Sequence, residues 1–234
     1  MNNSLVSFFR STIALILTAF CLQVQAAPVD YSDPWEGMNR AVFGFNDALD
    51  TVALKPIAKG YDFITPKPVQ NLVGNFFSNL GEIRNGANAG LQLKGKDTLI
   101  SFSRLLINST IGMLGLIDVA TPLGLEQKYN DFGLTFAHWG ASSGPYVVLP
   151  LLGPSTIRDG IGRIPDTFAD PLTYHTPERE RWMATGIDTI DTRAKLLGPE
   201  ELIVGDRYNF IRKSYLNRRE YLITGEYPQP EDDF

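Results

Sequence analysis

Cysteine is almost missing from this chain. Cys21 stands alone, so neither an internal disulfide nor a cysteine-based zinc site can form. Histidine is equally scarce: His138 and His175 are the only two, and no carboxylates stand at metal-ligand spacing around them. A cationic excess is missing too. The formal net charge of −5 gives no sign of a nucleic-acid-binding surface. No run of about 20 apolar residues offers a confident membrane span. Nor is there a series of alternating segments of about ten residues, as an outer-membrane barrel requires. Internal repeats, a glycine-rich phosphate loop and a dinucleotide fingerprint are likewise lacking.

What is present is an apolar-rich, largely helical chain. Hydrophobic residues make up 44% and charged residues 20% of its 234 positions, which suits a folded body rather than a disordered or multi-span one. Residues 1–26 read as an export signal: Arg10, then an uncharged stretch from Ser11 to Val24, then a cleavage site between Ala26 and Ala27. Cys21 invites a second reading as a lipid-modified cysteine. A lipoprotein signal wants leucine three residues earlier and a small residue just before, where this chain has Thr18 and Phe20. Cleavage after Ala26 is therefore expected, without lipidation of Cys21.

The first helical pattern is DPWEGMNRAVFGFNDALDTV, residues 33–52. Trp35, Met38, Val42, Phe45, Leu49 and Val52 recur at helical spacing. Asp33 is placed to cap this helix, Pro34 to occupy its first position, Glu36 to complete a capping box, and Pro56 to stop it after an extended Lys55. The plain reading of the stripe is a core-facing face. A second run, opened by Pro66 and Pro68, carries Val69, Leu72, Phe76 and Leu80. A third, from Gly81 to Leu93, contains Gly86, Ala87, Ala89 and Gly90, which let another backbone come close. Lys94–Lys96 reads as a turn, with Asp97 as the next cap.

Residues 99–125, LISFSRLLINSTIGMLGLIDVATPLGL, contain only two charges, Arg104 and Asp118. Such a stretch has no charged face for water. It is either buried in a large core or lies in a bilayer or along an apolar channel. Asp118 there needs a cap, a partner or water. Asp131 is expected to cap a short helix, Gly140–Arg158 to form a loop with an extended piece at 147–149, and Ser155 or Thr156 to cap another helix. Asp166–Pro171 reads as a turn. Thr176-Pro177-Glu178 starts a helix that Gly198-Pro199 ends. Asp206 opens the last helix, whose Arg207, Arg212, Lys213, Arg218 and Arg219 read as a solvated basic face or, alternatively, as a contact for anionic headgroups or an acidic partner. Glu226–Phe234 is an acidic tail expected to be disordered.

One pattern hints at catalysis. Residues 140–144 match G-x-S-x-G, the nucleophile elbow of esterases, with Ser142 as nucleophile and His138 or His175 as base. The elbow needs a strand before it and a helix after it. Here a helical pattern precedes, and Pro145 and Pro150 follow. His138, among Phe136 and Trp139, reads as a structural, hydrogen-bonded residue.

Three stretches in order, DPWEGMNRAVFGFNDALD, FSRLLINSTIGMLGLIDVA and DFGLTFAHWGASSGPYVVLPLLGPSTIRD, resemble the MlaA (VacJ) family of outer-membrane phospholipid-transport proteins. The resemblance implies an all-α, compact, ring-like bundle of amphipathic helices embedded in the outer membrane, with little or no β-strand. It implies an amphipathic central channel through which phospholipid leaves the outer leaflet for a soluble periplasmic carrier. It implies trimeric porins as partners and neither cofactor nor catalysis. The expected domain is 27–225. Phe43, Phe45 and Asn46, within the family's characteristic motif, are expected on the channel's lipid-facing wall. Leu106, Gly112, Gly115 and Leu116 are expected to shape the embedded surface. Two other functions stay open: an esterase or phospholipase using Ser142, and a structural or virulence factor that touches membranes without moving lipid.

Overall fold

The computed structural model describes residues 29–175 and 177–227. The export signal with Cys21, Ala26 and Ala27 lies outside these residues, as do Thr176, the side chain of His175 and positions 228–234 of the acidic tail.

Helix α1 (Glu36–Leu49) starts later than the pattern indicates, and Asp33 does not cap it. The Asp33 carbonyl accepts the Glu36 N–H at 3.2 Å, while its carboxylate serves tertiary contacts. The carboxylate accepts from Asn39 at 2.8 Å, from the Tyr208 hydroxyl and from Arg212 at 3.3 Å. Pro34 is therefore outside the helix. Pro56 does not stop it either. The chain passes through a π-helical turn, Asp50–Leu54, into α2 (Lys55–Ile64). Lys55 is helical at φ −61°, ψ −45°, and its N–H reaches back five residues to Asp50. The widened turn makes room for the proline ring, and Pro56 falls in the first turn of α2, where a missing donor is tolerated.

The second and third runs are one helix, α3 (Lys67–Leu91), unbroken at Gly81. A three-residue link folds the chain back into α4 (Gly95–Thr110), which packs along α3. The small residues serve that approach: a Cβ on Gly86 would stand 3.1 Å from the Phe102 ring. Asp97 is inside the first turn of α4 rather than its cap, where its charge still favours the positive helix end.

A 3₁₀ turn at Thr121–Leu123 leads to α5 (Phe132–His138). Asp131 caps α5 as expected, accepting the Leu134 N–H at 2.8 Å. The following loop holds an antiparallel hairpin, β1 (Tyr146–Leu149) and β2 (Gly153–Thr156), with Tyr146 opposite Thr156 and Leu149 opposite Gly153. Only its first strand showed in the sequence. Thr156 caps α6 (Ile157–Phe168), whose interior Pro165 carries the helix into the region expected as a turn. A helical turn, α7 (Leu172–His175), precedes α8 (Glu178–Lys195). Gly198-Pro199 is itself helical, in α9 (Leu197–Glu200). Asp206 caps α10 (Arg207–Thr224), accepting the Tyr208 N–H at 3.0 Å.

The molecule is 69% helical, with the hairpin its one small sheet among the described residues. Helix α8 packs on α2 and α3, α5 on α6, and α10 on α5 and β2. The last helix is not a solvated basic face. Arg207 pairs with Asp47 and Glu200, Arg212 with Asp33, and Arg219 with Asp131 and Asp159, leaving only Lys213 and Arg218 exposed among the five.

Candidate functional site

Most of the chain's polarity is inverted. The α1 stripe faces outward: Trp35, Met38, Phe45 and Leu49 are exposed, and Val52 is 79% exposed. The only buried side chain of α1 is Asn39, whose amide holds the Tyr146 carbonyl at 3.1 Å and the Val148 N–H at 2.9 Å. The core-facing reading of that stripe is therefore wrong, because Asn39 binds the backbone of β1 and turns the apolar side away.

Helix α4 repeats the inversion. Its buried residues are Ser101, Arg104 and Asn108, while Leu99, Phe102 and Leu106 are exposed. Arg104 meets Glu82 at 2.5 Å and Asp118 at 3.2 Å, and donates to Thr121 at 2.9 Å. Asn108 donates to Asp118 at 3.1 Å and accepts the Val119 and Ala120 N–H groups. Asp118 thus has its partners. Burial pushes its carboxyl up, but these bonds and those from Thr121 outweigh burial and hold it at about 2. Beyond α4 the chain displays Ile111, Met113 and Leu114, with Leu114 at 73% exposed. Met113 and Leu114 take positive φ in a turn held by backbone hydrogen bonds from Leu114 N–H to the Ser109 carbonyl at 3.1 Å and from Gly115 N–H to the Asn108 carbonyl at 2.8 Å.

The described residues also form a half-open cavity of about 660 Å³. It is bounded by α3, the segment before α5, the hairpin, α6, α7, α8 and α10, while α1, α2 and α4 contribute nothing to its wall. One part of its wall is apolar, with Phe77, Leu80, Leu152 and Leu172; another carries Arg84, Asp166 and Asp188. Arg219 closes the wall, bound to Asp131 at 2.6 and 3.0 Å and to Asp159 at 2.8 Å. Tyr215 donates to Asp159 at 2.7 Å. Burial, then the charge of Asp131, pushes the Asp166 carboxyl up to about 6. No cluster of three or more metal-ligating side chains occurs among the described residues. No helix among them is long and apolar enough to cross a membrane.

The family model of the MlaA lipoprotein matches residues 31–222, nearly all of the described chain. The chain belongs to the MlaA family. The intermembrane phospholipid transport system lipoprotein MlaA of Escherichia coli is 34% identical over 210 residues, 86% of this chain and 82% of that protein. The Haemophilus influenzae protein of the same name is 28% identical, covering 82% and 80% of the two chains. A solved structure described as the structural basis for maintenance of bacterial outer membrane lipid asymmetry matches with a TM-score of 0.71. It is 37% identical and covers 82% of this chain and 99% of that chain.

The residues that the resemblance singled out fall in two places. Phe43 is half-buried, its ring edge-on to Tyr208 at 5.6 Å, and Phe45 is exposed. Asn46 grips the hairpin turn: it donates to the Leu149 carbonyl at 3.0 Å and accepts the Leu151 N–H at 2.8 Å. The MlaA motif thus supports the segment whose Leu152 reaches the cavity. Leu106 is on the exposed apolar face. Gly112, Gly115 and Leu116 share the turn after α4. Gly115, at φ +89°, leaves no room for a Cβ beside Asn79, and the Leu116 carbonyl accepts from Asn75 at 3.0 Å. None of these seven lines the cavity.

Ser142 is exposed, follows a helix rather than a strand, and gives no hydrogen bond to His138. His138 is half-buried, and no hydrogen bond to its ring occurs among the described residues; burial, then Lys94, lowers its pKa. The cavity's charged residues were missed in the sequence. One signal was available: after Lys67, Glu82 and Arg84 are the only charges in the 25 residues of α3. Charges this sparse on a long helix need buried partners or a polar cavity wherever that helix is covered.

Proposed function

We propose that this protein moves phospholipid out of the outer leaflet of the outer membrane, through the cavity of mixed polarity, to a soluble periplasmic carrier. In doing so it maintains lipid asymmetry. The observation that carries this reading is the inversion of polarity: apolar side chains outside, ion pairs and amides inside, and beside them a half-open cavity of mixed polarity. Each large apolar side chain gains roughly 1.5–3 kcal/mol on leaving water, so the outer face is stabilised by lipid around it. A cavity wall with both apolar and charged parts suits a molecule with tails and a headgroup.

The transfer is passive and needs no catalytic residue, in keeping with the isolated Ser142. The protein is exported, its signal cut between Ala26 and Ala27, and it rests in the bilayer through its own body, with trimeric porins alongside. Its MlaA relatives carry the word lipoprotein in their names, whereas Thr18 and Phe20 depart from a lipoprotein signal. Mass spectrometry of the mature N-terminus reads which applies to Cys21.

The test is to delete the gene and measure phospholipid exposed at the cell surface. Deletion is expected to raise it, and the intact gene to restore it. Removing Gly44-Phe45, which shifts Asn46 against the hairpin, is expected to alter flux and detergent resistance. Wild-type asymmetry in the deletion strain would end the transport reading in favour of a membrane protein that moves no lipid. Fatty-acid release that vanishes in Ser142→Ala would favour the esterase.

A further inference from the structure

The cavity is unequally charged. Its wall holds five aspartates against three arginines. Arg219 is not open to a ligand, because both its terminal nitrogens are bound to Asp131 and Asp159. Arg84 is different. It lies over the Tyr129 ring at 5.4 Å, makes no ion pair among the described residues, and its buried Nε has no hydrogen-bond partner. On α8, lining the same cavity, Asp188 has neither an ion pair nor a hydrogen bond among the described residues. The carboxylate of Asp170, on the same cavity wall, accepts only the Leu172 N–H, at 3.0 Å. Burial, then the charge of Asp191, raises the Asp188 carboxyl; Asp170 adds to the rise, and Lys195 and Arg84 oppose it.

A headgroup entering here meets two arginines without an ion pair among the described residues, Arg84 and the exposed Arg163, and an excess of carboxylates. A phosphate alone gains Arg84 but suffers the repulsion of the aspartates. A headgroup that also carries an ammonium turns that repulsion into attraction. We propose that the cavity selects zwitterionic, ammonium-bearing phospholipids over anionic ones, with Arg84 taking the phosphate and Asp188 with Asp170 taking the ammonium. This rests on the reading that lipid enters this cavity, and it adds the class of lipid that passes.

The experiment uses the purified full-length protein, mixed with vesicles of equal parts phosphatidylethanolamine and phosphatidylglycerol. Bound lipid is then extracted and counted by mass spectrometry. Phosphatidylethanolamine is expected to be enriched roughly tenfold over the vesicle ratio, the order set by one gained and one removed charge contact. Asp188→Asn combined with Asp170→Asn should abolish the enrichment while total bound lipid persists, and Asp188→Glu should restore it. Arg84→Gln should lower binding of both lipids. Circular dichroism checks that each variant is folded. Lipid bound at the vesicle ratio by the wild type, or enrichment that survives the double substitution, would overturn the selection alone. No bound lipid at all would overturn the transport reading, and selection with it.

Discussion

Around the hairpin, Val29, Tyr146, Val148, Tyr208 and Leu216 pack into an apolar core, with Val42, Phe43, Tyr215 and Ile223 against it. Between α3 and α4 the order is reversed: Glu82, Asn85, Arg104 and Asn108 are inside, and Leu99, Leu106 and Leu114 are outside. The first region is held as proteins in water are held, by removing apolar surface from solvent. The second is held by ion pairs and amide hydrogen bonds that water cannot reach. In a lipid surrounding that trade makes sense, because the apolar outside has nothing to gain from turning in. The hairpin core joins the N-terminal segment, α1 and α10, elements distant in sequence.

The largest test of this contrast is Arg104→Met. It removes the one ion-pair partner of buried Glu82 and one partner of Asp118, and is expected to destabilise by about 3–5 kcal/mol in thermal unfolding of the detergent-solubilised protein. Leu216→Ala, in the apolar core, should cost about 2–4 kcal/mol by the same measurement, through the cavity it leaves. If Arg104→Met proves harmless while Leu216→Ala unfolds the molecule, the α3–α4 polar interior contributes nothing to stability and the contrast fails.

A smaller effect comes from Asp166. Its carboxyl titrates at about 6, above its ordinary range, so the folded form binds the proton more tightly than the unfolded form. This group therefore lowers stability as pH rises from about 4 through 6, and the cost persists above that. Asp166→Asn should raise stability at neutral pH by about 1 kcal/mol, after discounting for solvent at the cavity, and flatten the pH profile between about 4 and 6. The smallest stability change is expected from Leu106→Ser and Leu114→Ser, less than about 0.5 kcal/mol in detergent. Their effect should appear instead in vesicle flotation, as weaker membrane binding. Equal and large losses of stability would mean these side chains are packed within the protein.

Helix content, the Asp131, Thr156 and Asp206 caps and the close approach at Gly86 were legible, because each depends on a few neighbouring residues. The near-absence of charge in residues 99–125 was also legible, but its destination was not. Periodicity reveals that a helix has two faces; it cannot reveal which face turns inward. Asn39 decides that for α1 by binding β1, more than 100 residues away in sequence. The π turn before Pro56 escaped for a related reason. Local rules end a helix at such a proline, and only a five-residue reach by Lys55 shows how the chain continues.

The residue order by itself determined that this protein is helical, rich in apolar stripes, poor in metal ligands and of the MlaA kind. Tertiary structure alone decided that the stripes point outward and that Arg84, Asp166 and Asp188, from three separate helices, share one cavity. The physical reason is range: capping and periodicity act within a turn or two of helix, whereas orientation and electrostatics depend on partners that folding brings together.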